Sequence, residues 1–419
     1  MDASGIDTSE TQALDQRRTP IILMDGRVPA AYPGYRFFLA VARISGCCFI
    51  DGVLFKTGPW MLRPNFRLLS LVHFAFCVFL SLWPPASFVM VRAQSRKTLS
   101  QIHSITGYGF YAAIYGQALV NILNMAFKRS DLVDVVRMAS QLERRLQVPK
   151  KAVERRLRQV SLMCFAFVLF DGFKYMLGLR TVMLLAFSLL DESHVVFRAV
   201  FIPGFLLGCV LVTVWYNLSF WMIVYFSEMV RQYFAALNDS LELALSTSKE
   251  SFEAAERIRT NLVALRKLLT KINSIIGVQA LSYYAGSVFF LCATLYRILI
   301  SEGALTDRVS RLTYLATMSA GIVISTRASH LMSQEGYKIE SVVQAAEFEK
   351  LSDASTHQLH MLVLAAEDAQ GCLTGCGMFV INLPLIVVVV GAVITYTIVL
   401  VQTSDSAMNI KCLHGGITP

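Results

Sequence analysis

The chain has 419 residues, 55% of them hydrophobic and only 16% charged, with a mean hydropathy of +0.54. A soluble domain carries about a quarter charged residues, so these values exclude a soluble globular protein and indicate an integral membrane protein. The net charge of +9 comes without any RNA- or DNA-binding motif, so it is read as membrane orientation rather than affinity for nucleic acid.

The chain opens on a polar stretch, Met1 to Arg18, with no basic-then-apolar signal peptide ahead of the first span. The next apolar segment, Phe37–Phe55, contains Arg43 and Asp51 and is interrupted by Gly46. A charge at mid-span costs about 2.5 to 3.5 kcal/mol on insertion scales, so this segment is expected to be re-entrant or interfacial. Seven spans follow, at about Leu68–Val91, Ser104–Phe127, Gln159–Leu179, Val200–Phe226, Ile275–Ile300, Leu312–Met332 and Met378–Gln402. Each is long enough for a bilayer core, which needs about 20 apolar residues as helix. Between them, Leu132–Gln147, Leu241–Ile276 and Glu335–Asp368 show apolar positions at three-to-four spacing, as in Leu262, Leu265, Leu268, Leu269 and Ile272. These faces need burial, which predicts long helical extensions of the spans that pack together in the cytoplasm.

Loop charges set the orientation. The N-terminal region and the loops after the second, fourth and sixth spans hold 27 Lys and Arg, against 8 on the alternate side. The positive-inside rule then places the N-terminus in the cytoplasm and, with seven spans, the C-terminus outside. The predicted organisation is a cytoplasmic N-terminus with its re-entrant or interfacial segment (1–67), then six membrane helices with their cytoplasmic extensions (68–332). Cytoplasmic assembly helices (333–377), a seventh helix (378–402) and an extracellular tail (403–419) complete it. The sequons at Asn217 and Asn238 fall within a span and on the cytoplasmic side, where neither is glycosylated. Six of the nine cysteines lie in or beside apolar runs and behave as small hydrophobes, so no disulfide framework is expected.

The most unusual stretch is the last apolar one. From Gly371 to Ser404 there is no charged residue, and Gly391, Thr395, Gln402 and Ser406 fall within roughly 60° of one another on a helical wheel. Such a stripe needs either a partner helix, where small residues form a packing seam, or water to face. Val399 and Leu400 beside it are candidates for a dry constriction.

G-protein-coupled receptors have the opposite orientation, and neither Asp-Arg-Tyr after a third span nor Asn-Pro-x-x-Tyr in the seventh is present. A secondary transporter would need a midplane ion site between broken helices, for which only Pro203 and Pro384 are available. The histidines are scattered, with no Glu-x-x-His or nucleophile motif, so neither an enzyme nor a metal or cofactor site is expected.

The run Thr395-Tyr396-Thr397-Ile398-Val399-Leu400-Val401-Gln402-Thr403 resembles the seventh-span signature of the arthropod gustatory receptors, relatives of insect odorant receptors, which reads Thr-Tyr, five mostly hydrophobic residues, Gln, Phe. Arg43-Ile-Ser-Gly46 is similar to the family's N-terminal Arg-x-x-Gly, and the approach from Gly375 to Pro384 also looks like the family's. The resemblance implies a taste receptor of chemosensory-cell plasma membranes, a homo- or heterotetramer whose four seventh spans surround a cation pore opened by a small-molecule tastant. Gln402, Thr395, Ser406, Val399, Leu400, Thr403 and Gly391 would then form the pore and gate. Thr403 stands where the family has Phe, and Thr397 where sugar-sensing members carry Glu, so sugar is not the expected ligand. The family's pocket opens to the outside among the second to sixth spans. In this orientation it would be lined by Tyr108 and Tyr111, Asp171 and Tyr175, Tyr296 and Arg297, and Tyr314 and Thr317. The bland reading of these positions is also consistent with their chemistry: Asp171 can neutralise Lys174 three residues on, Arg297 can snorkel, and tyrosines belong to interfacial belts.

Overall fold

A computed structural model describes residues 28–54, 59–64, 67–86, 89, 101–178, 195–246, 251–300, 305–344, 357, 361 and 371–415. Among the described residues the chain is all-α apart from two short antiparallel strand pairs.

Helix α1 (Tyr32–Ile44) has Pro33 in its first turn, where a missing N–H is harmless. Tyr35, Phe38, Leu39 and Ala42 share its buried face. The chain then turns at Gly46, whose φ of +83° suits glycine, into an antiparallel pair of strands, β1 (Ile50–Asp51) and β2 (Arg63–Pro64). A 13-residue helix reaches only about 20 Å, short of a bilayer core. The two charges that argue against a span also pin the turn. Arg43 pairs with Asp51 at 3.6 Å and donates to the Cys48 carbonyl at 2.9 Å and to Ser70 Oγ at 2.8 Å.

The remaining helices are α2 (Leu68–Ser81), α3 (Gln101–Phe127), α4 (Arg129–Leu146), α5 (Lys150–Gly178), α6 (Val195–Ser246), α7 (Ser251–Ile300), α8 (Leu305–Gln344) and α9 (Leu383–Gly415). Helix α6 is 52 residues long, about 78 Å, more than twice the hydrocarbon thickness. It continues through Pro203 without ending. The single helices α6, α7 and α8 thus carry both span and extension, as the periodicity of the loops predicts. Leu262, Leu265, Leu268, Leu269 and Ile272 are all buried.

Helix α6 is the hub, packed against α2, α3, α5, α7 and α8. Its Phe205, Phe220, Trp221, Tyr225, Phe226 and Tyr233 are fully buried, and Trp221 meets Phe38 of α1 edge-on at 5.4 Å between centroids. Gly208 lets α2 come close. A Cβ at Gly208 would overlap the Leu80 carbonyl oxygen and lie 3.1 Å from Pro84 Cδ.

Five of the described helices, α2, α5, α6, α7 and α9, are long and apolar enough to cross a membrane. The other two predicted spans lie in α3 and α8, and their polar side chains find partners inside the bundle. Gln117 donates to Ser219 Oγ at 2.8 Å, Asn121 to the Trp215 carbonyl at 2.7 Å and Asn124 to the Ile275 carbonyl at 2.7 Å. On α8, Ser325 and Thr326 both bond the Tyr284 hydroxyl, at 3.1 and 2.8 Å. A polar group satisfied against a neighbouring helix need not be solvated by lipid.

On the side the charge count assigns to the cytoplasm, α4 docks on α7 through Lys271, whose ammonium lies 2.7 Å from Asp131. Glu143 of α4 joins three helices. Its carboxylate accepts the backbone N–H groups of Ala30 and Ala31 at the entry to α1 and the Tyr233 hydroxyl of α6 at 2.7 Å. Burial raises its pKa above 4.5, against the lowering effect of those hydrogen bonds.

The seventh span begins later than predicted and ends later. Thr374–Gly375 and Phe379–Val380 form the antiparallel pair β3–β4, so 378–382 are not helical, and α9 then runs from Leu383 through Gly415. The hairpin is held by the Asn273 side chain, which donates to the Cys372 carbonyl at 3.0 Å and accepts Thr374 N–H at 3.1 Å. Cys376 and Gly377 take positive φ at its tip. Pro384 falls in the first turn of α9, where it breaks nothing. Neither proline that a transporter reading would use interrupts a helix.

Candidate ligand cavity and exposed face of helix α9

Helices α3, α5, α6, α7 and α8 enclose a cavity lined by Ile114, Asp171, Tyr175, Val212, Thr213, Tyr216, Phe290, Tyr314 and Met318. Its volume is about 20 Å³, room for about one water. The wall is mainly aromatic and aliphatic; Tyr216 and Phe290 meet edge to face at 5.8 Å.

The polar part is a buried ion pair. Asp171 and Lys174, three apart on α5, form a salt bridge with side chains 7% and 3% exposed. Each charge has further partners on other helices. Lys174 Nζ donates to Thr317 Oγ1 of α8 at 2.6 Å and sits 4.1 Å above the Tyr314 ring. Asn217 of α6 donates to Asp171 Oδ2 at 2.9 Å. Removing either ion would leave the other buried alone, at a cost of about 3 to 5 kcal/mol. The pair therefore fastens α5 to α6 and α8 beside the cavity.

Of the residues expected around a ligand, Asp171, Tyr175 and Tyr314 line the cavity. Thr317 stands behind it as the acceptor for Lys174, and Tyr111 belongs to the same buried cluster as Tyr175 and Phe290. Tyr296 is buried on α7 but does not line the cavity. Nor does Arg297, whose backbone carbonyl accepts Arg311 Nη1 at 2.7 Å. The reason is geometric: both lie about two turns beyond Phe290 along α7, past the level of the cavity. The side chain of Tyr108 lies outside the described residues. Sequence reasoning missed Tyr216, Phe290 and Asn217. The first two look like any aromatic in a span. Asn217 was considered only as a sequon, although an asparagine in mid-span is itself a signal of an interhelical hydrogen bond.

Helix α9 docks on the bundle by one narrow face. Val389, Val393 and Thr397, at four-residue spacing, are buried, and the Cys292 thiol of α7 approaches the Val393 carbonyl at 3.7 Å. Gly391, Thr395, Val399, Leu400, Gln402 and Thr403 are all exposed. Gly391, Thr395 and Gln402 stand about 180° from the docked residues on the helical wheel. A Cβ added at Gly391 would meet nothing within 4 Å. Thr403 Oγ1 returns to the Val399 and Leu400 carbonyls at 2.9 and 3.0 Å, so the hydroxyl is bonded to its own helix. The side chain of Ser406 lies outside the described residues. Thr397, where the sugar-sensing signature has Glu, is 3% exposed on the docked face, a position with no room for a solvated carboxylate. Gly391, Thr395 and Gln402 are thus exposed on the face of α9 opposite the one that docks on the described helices.

Residues 35–406 match the family model described as 7tm chemosensory receptor. No curated protein matches the chain. Among solved structures, the insect olfactory receptor OR5 from Machilis hrabei superposes with a TM-score of 0.68 at 14% identity, covering 87% of this chain and 97% of that one. The same receptor in complex with eugenol gives 0.66 at 14% identity, over 88% and 97%. At such identity the likeness establishes the fold.

Proposed function

Because the chain belongs to the 7tm chemosensory receptor family, we propose that it is a gustatory-type receptor acting as a ligand-gated, non-selective cation channel. In this reading it is a multi-pass protein of chemosensory-cell plasma membranes, and four copies, identical or related, surround a pore lined by α9. A small-molecule tastant enters the cavity between α3, α5, α6, α7 and α8. The observation that carries the reading is the face of α9 turned away from its own bundle. Its oxygen-bearing side chains, Thr395 and Gln402, share that exposed face with Gly391. A cation crossing a bilayer keeps its water or exchanges it for oxygens, and side-chain amides at a narrow ring can serve either way. Val399 and Leu400 supply apolar surface beside that ring, which dewets when closed. Thr403 replaces an aromatic gate residue, so closure falls to these aliphatic side chains.

The cavity and the pore helix share neighbours. Phe290 in the cavity wall and Cys292 beside α9 are two residues apart on α7, so a ligand that shifts α7 displaces the surface on which α9 rests. Whole-cell recording from cells expressing the receptor against a tastant panel tests the proposal. The expected result is ligand-evoked cation current, independent of G proteins, whose ion selectivity changes in Gln402→Ala. Current with unaltered selectivity would remove α9 from the pore, and a C-terminal tag that stains only in permeabilised cells would overturn the topology.

A further inference from the structure

Where α4 meets α7, Met138 of α4 and Val263, Arg266, Lys267, Thr270 and Lys271 of α7 line an open groove of about 530 Å³. Specific small-molecule sites occupy about 300 to 1,000 Å³, so the groove is large enough to hold one. The α7 residues recur at three-to-four spacing, which puts them on one stripe of the helix. Three cations line the groove and no carboxylate does. Arg266 and Lys267 are exposed, and Lys267 makes no ion pair among the described residues. Lys271 is tied to α4, 2.7 Å from Asp131 and 3.8 Å from Asp134. Each of those carboxylates already has a second cation, Lys128 at 3.4 Å and Arg137 at 3.5 Å. Positive charge is therefore left over at the groove.

The groove stands at the foot of a span, on the side that the loop charges assign to the cytoplasm. Basic clusters immediately cytoplasmic of a membrane helix attract the anionic lipids of the inner leaflet. Height along α7 narrows the choice among those lipids. Counted from Ile275, where the predicted span starts, Lys271 lies about 6 Å out and Lys267 and Arg266 about 12 to 14 Å out. The headgroup layer is only about 5 to 8 Å thick. Lys271 is thus level with a lipid phosphodiester, whereas the other two meet only a headgroup that projects further and carries charge at its far end. A phosphorylated inositol does both, and Met138 and Val263 offer apolar surface to the C–H face of its ring. We infer that the α4–α7 groove binds a phosphoinositide of the inner leaflet, with Arg266 and Lys267 on the ring phosphates and Lys271 at the phosphodiester. The site is separate from the ligand cavity and from α9, and the inference does not use the channel reading.

The test is native mass spectrometry of the detergent-purified full-length protein, titrated with three probes: dioctanoyl phosphatidylinositol bisphosphate, dioctanoyl phosphatidylserine and soluble inositol trisphosphate. The bisphosphate lipid is expected to bind at least tenfold more tightly than either of the others. Removing both outer cations, Arg266→Gln with Lys267→Gln, should weaken it by roughly thirtyfold. Thr270→Glu puts a carboxylate between the cations at an exposed position and should weaken it as well. Arg155→Gln with Arg158→Gln removes the same charge from exposed positions of α5, outside the groove, and should leave binding within twofold. These substitutions are all at the surface, so each variant should keep the wild-type melting temperature. Equal losses in the groove and α5 variants would reduce the effect to diffuse charge and overturn the inference. Phosphatidylserine or the soluble trisphosphate binding as tightly as the bisphosphate lipid would overturn the choice of lipid. A change of oligomeric mass in the groove variants would mean that a second copy covers this face, and would overturn the site. None of these readouts is a current, so the inference and the channel reading can fail separately.

Discussion

Helix α6 buries 72% of its most apolar stretch within the chain, whereas α9 buries only 17%, although both are dominated by Val, Ile, Leu and aromatic residues. Apolarity does not separate them, because lipid tails solvate leucine as well as another helix does. What separates them is where the small and polar residues point. On α6, Gly208, Asn217 and Ser219 all face neighbouring helices, and each meets a close backbone approach or a hydrogen bond. On α9, Gly391, Thr395 and Gln402 face away from the bundle while valines dock it. Helix α6 is thus specified as a hub inside one chain, and α9 as a helix whose small and polar residues are turned away from the described bundle.

The contrast is most exposed to failure at matched glycines. Gly208→Leu drives a side chain into the Leu80 carbonyl and should cost about 3 kcal/mol or more, read as loss of monodisperse protein on size-exclusion chromatography. Gly391→Leu should leave folding intact, because nothing lies within 4 Å, yet reduce single-channel conductance. Equal loss of folded protein in both variants would break the comparison. Gln402→Ala should likewise leave the melting temperature within about 1 °C, since an exposed substitution changes stability by no more than about 0.5 kcal/mol, while altering the permeability ratio of sodium to calcium.

At the α1–α4–α6 junction, Glu143→Ala removes the acceptor of two backbone amides and a tyrosine and should cost about 1 to 3 kcal/mol. Glu143→Gln keeps an acceptor and should cost less. Because burial raises the folded carboxyl above its ordinary 4.5, the folded protein holds the proton more tightly than the unfolded chain. This contribution is most favourable in acid and is lost as pH rises through the folded pKa. Melting temperature against pH should therefore slope downward above pH 4.5 more steeply in wild type than in Glu143→Gln. The smallest expected effect is at Gln147, the left-handed residue closing α4 with φ of 50°. Gln147→Gly should raise stability by less than about 1 kcal/mol, measured in the same thermal assay.

Much of the architecture was legible because the bilayer permits few solutions. Continuous apolar runs of 20 or more residues and loop charge asymmetry located the helices, and three-to-four periodicity in Leu262–Ile272 anticipated one buried face. The end of the chain was less legible. A charge-free run looks like one long helix, but Asn273 offers its amide to the backbone at 372–374 and draws the first part into a hairpin. That is a contact across about a hundred residues, invisible to local pattern. The ligand cavity was legible in its charges and tyrosines but not in its limits. Asp171 and Lys174 announced themselves by being charged inside a membrane, whereas Phe290 and Tyr216 became wall only through the packing of α6 on α7.

The sequence by itself determined that this protein lives in a membrane and which residues are too polar to face lipid. Each of those follows from the transfer energy of a side chain, a property of the residue alone. Tertiary structure decided which way the polar residues turn: Asn217 toward Asp171, Thr397 into the bundle, Gln402 out of it. Helical periodicity fixes which residues share a face but not what that face meets. In a medium where apolar contact drives little, that depends on where the few small and polar residues of seven helices find one another.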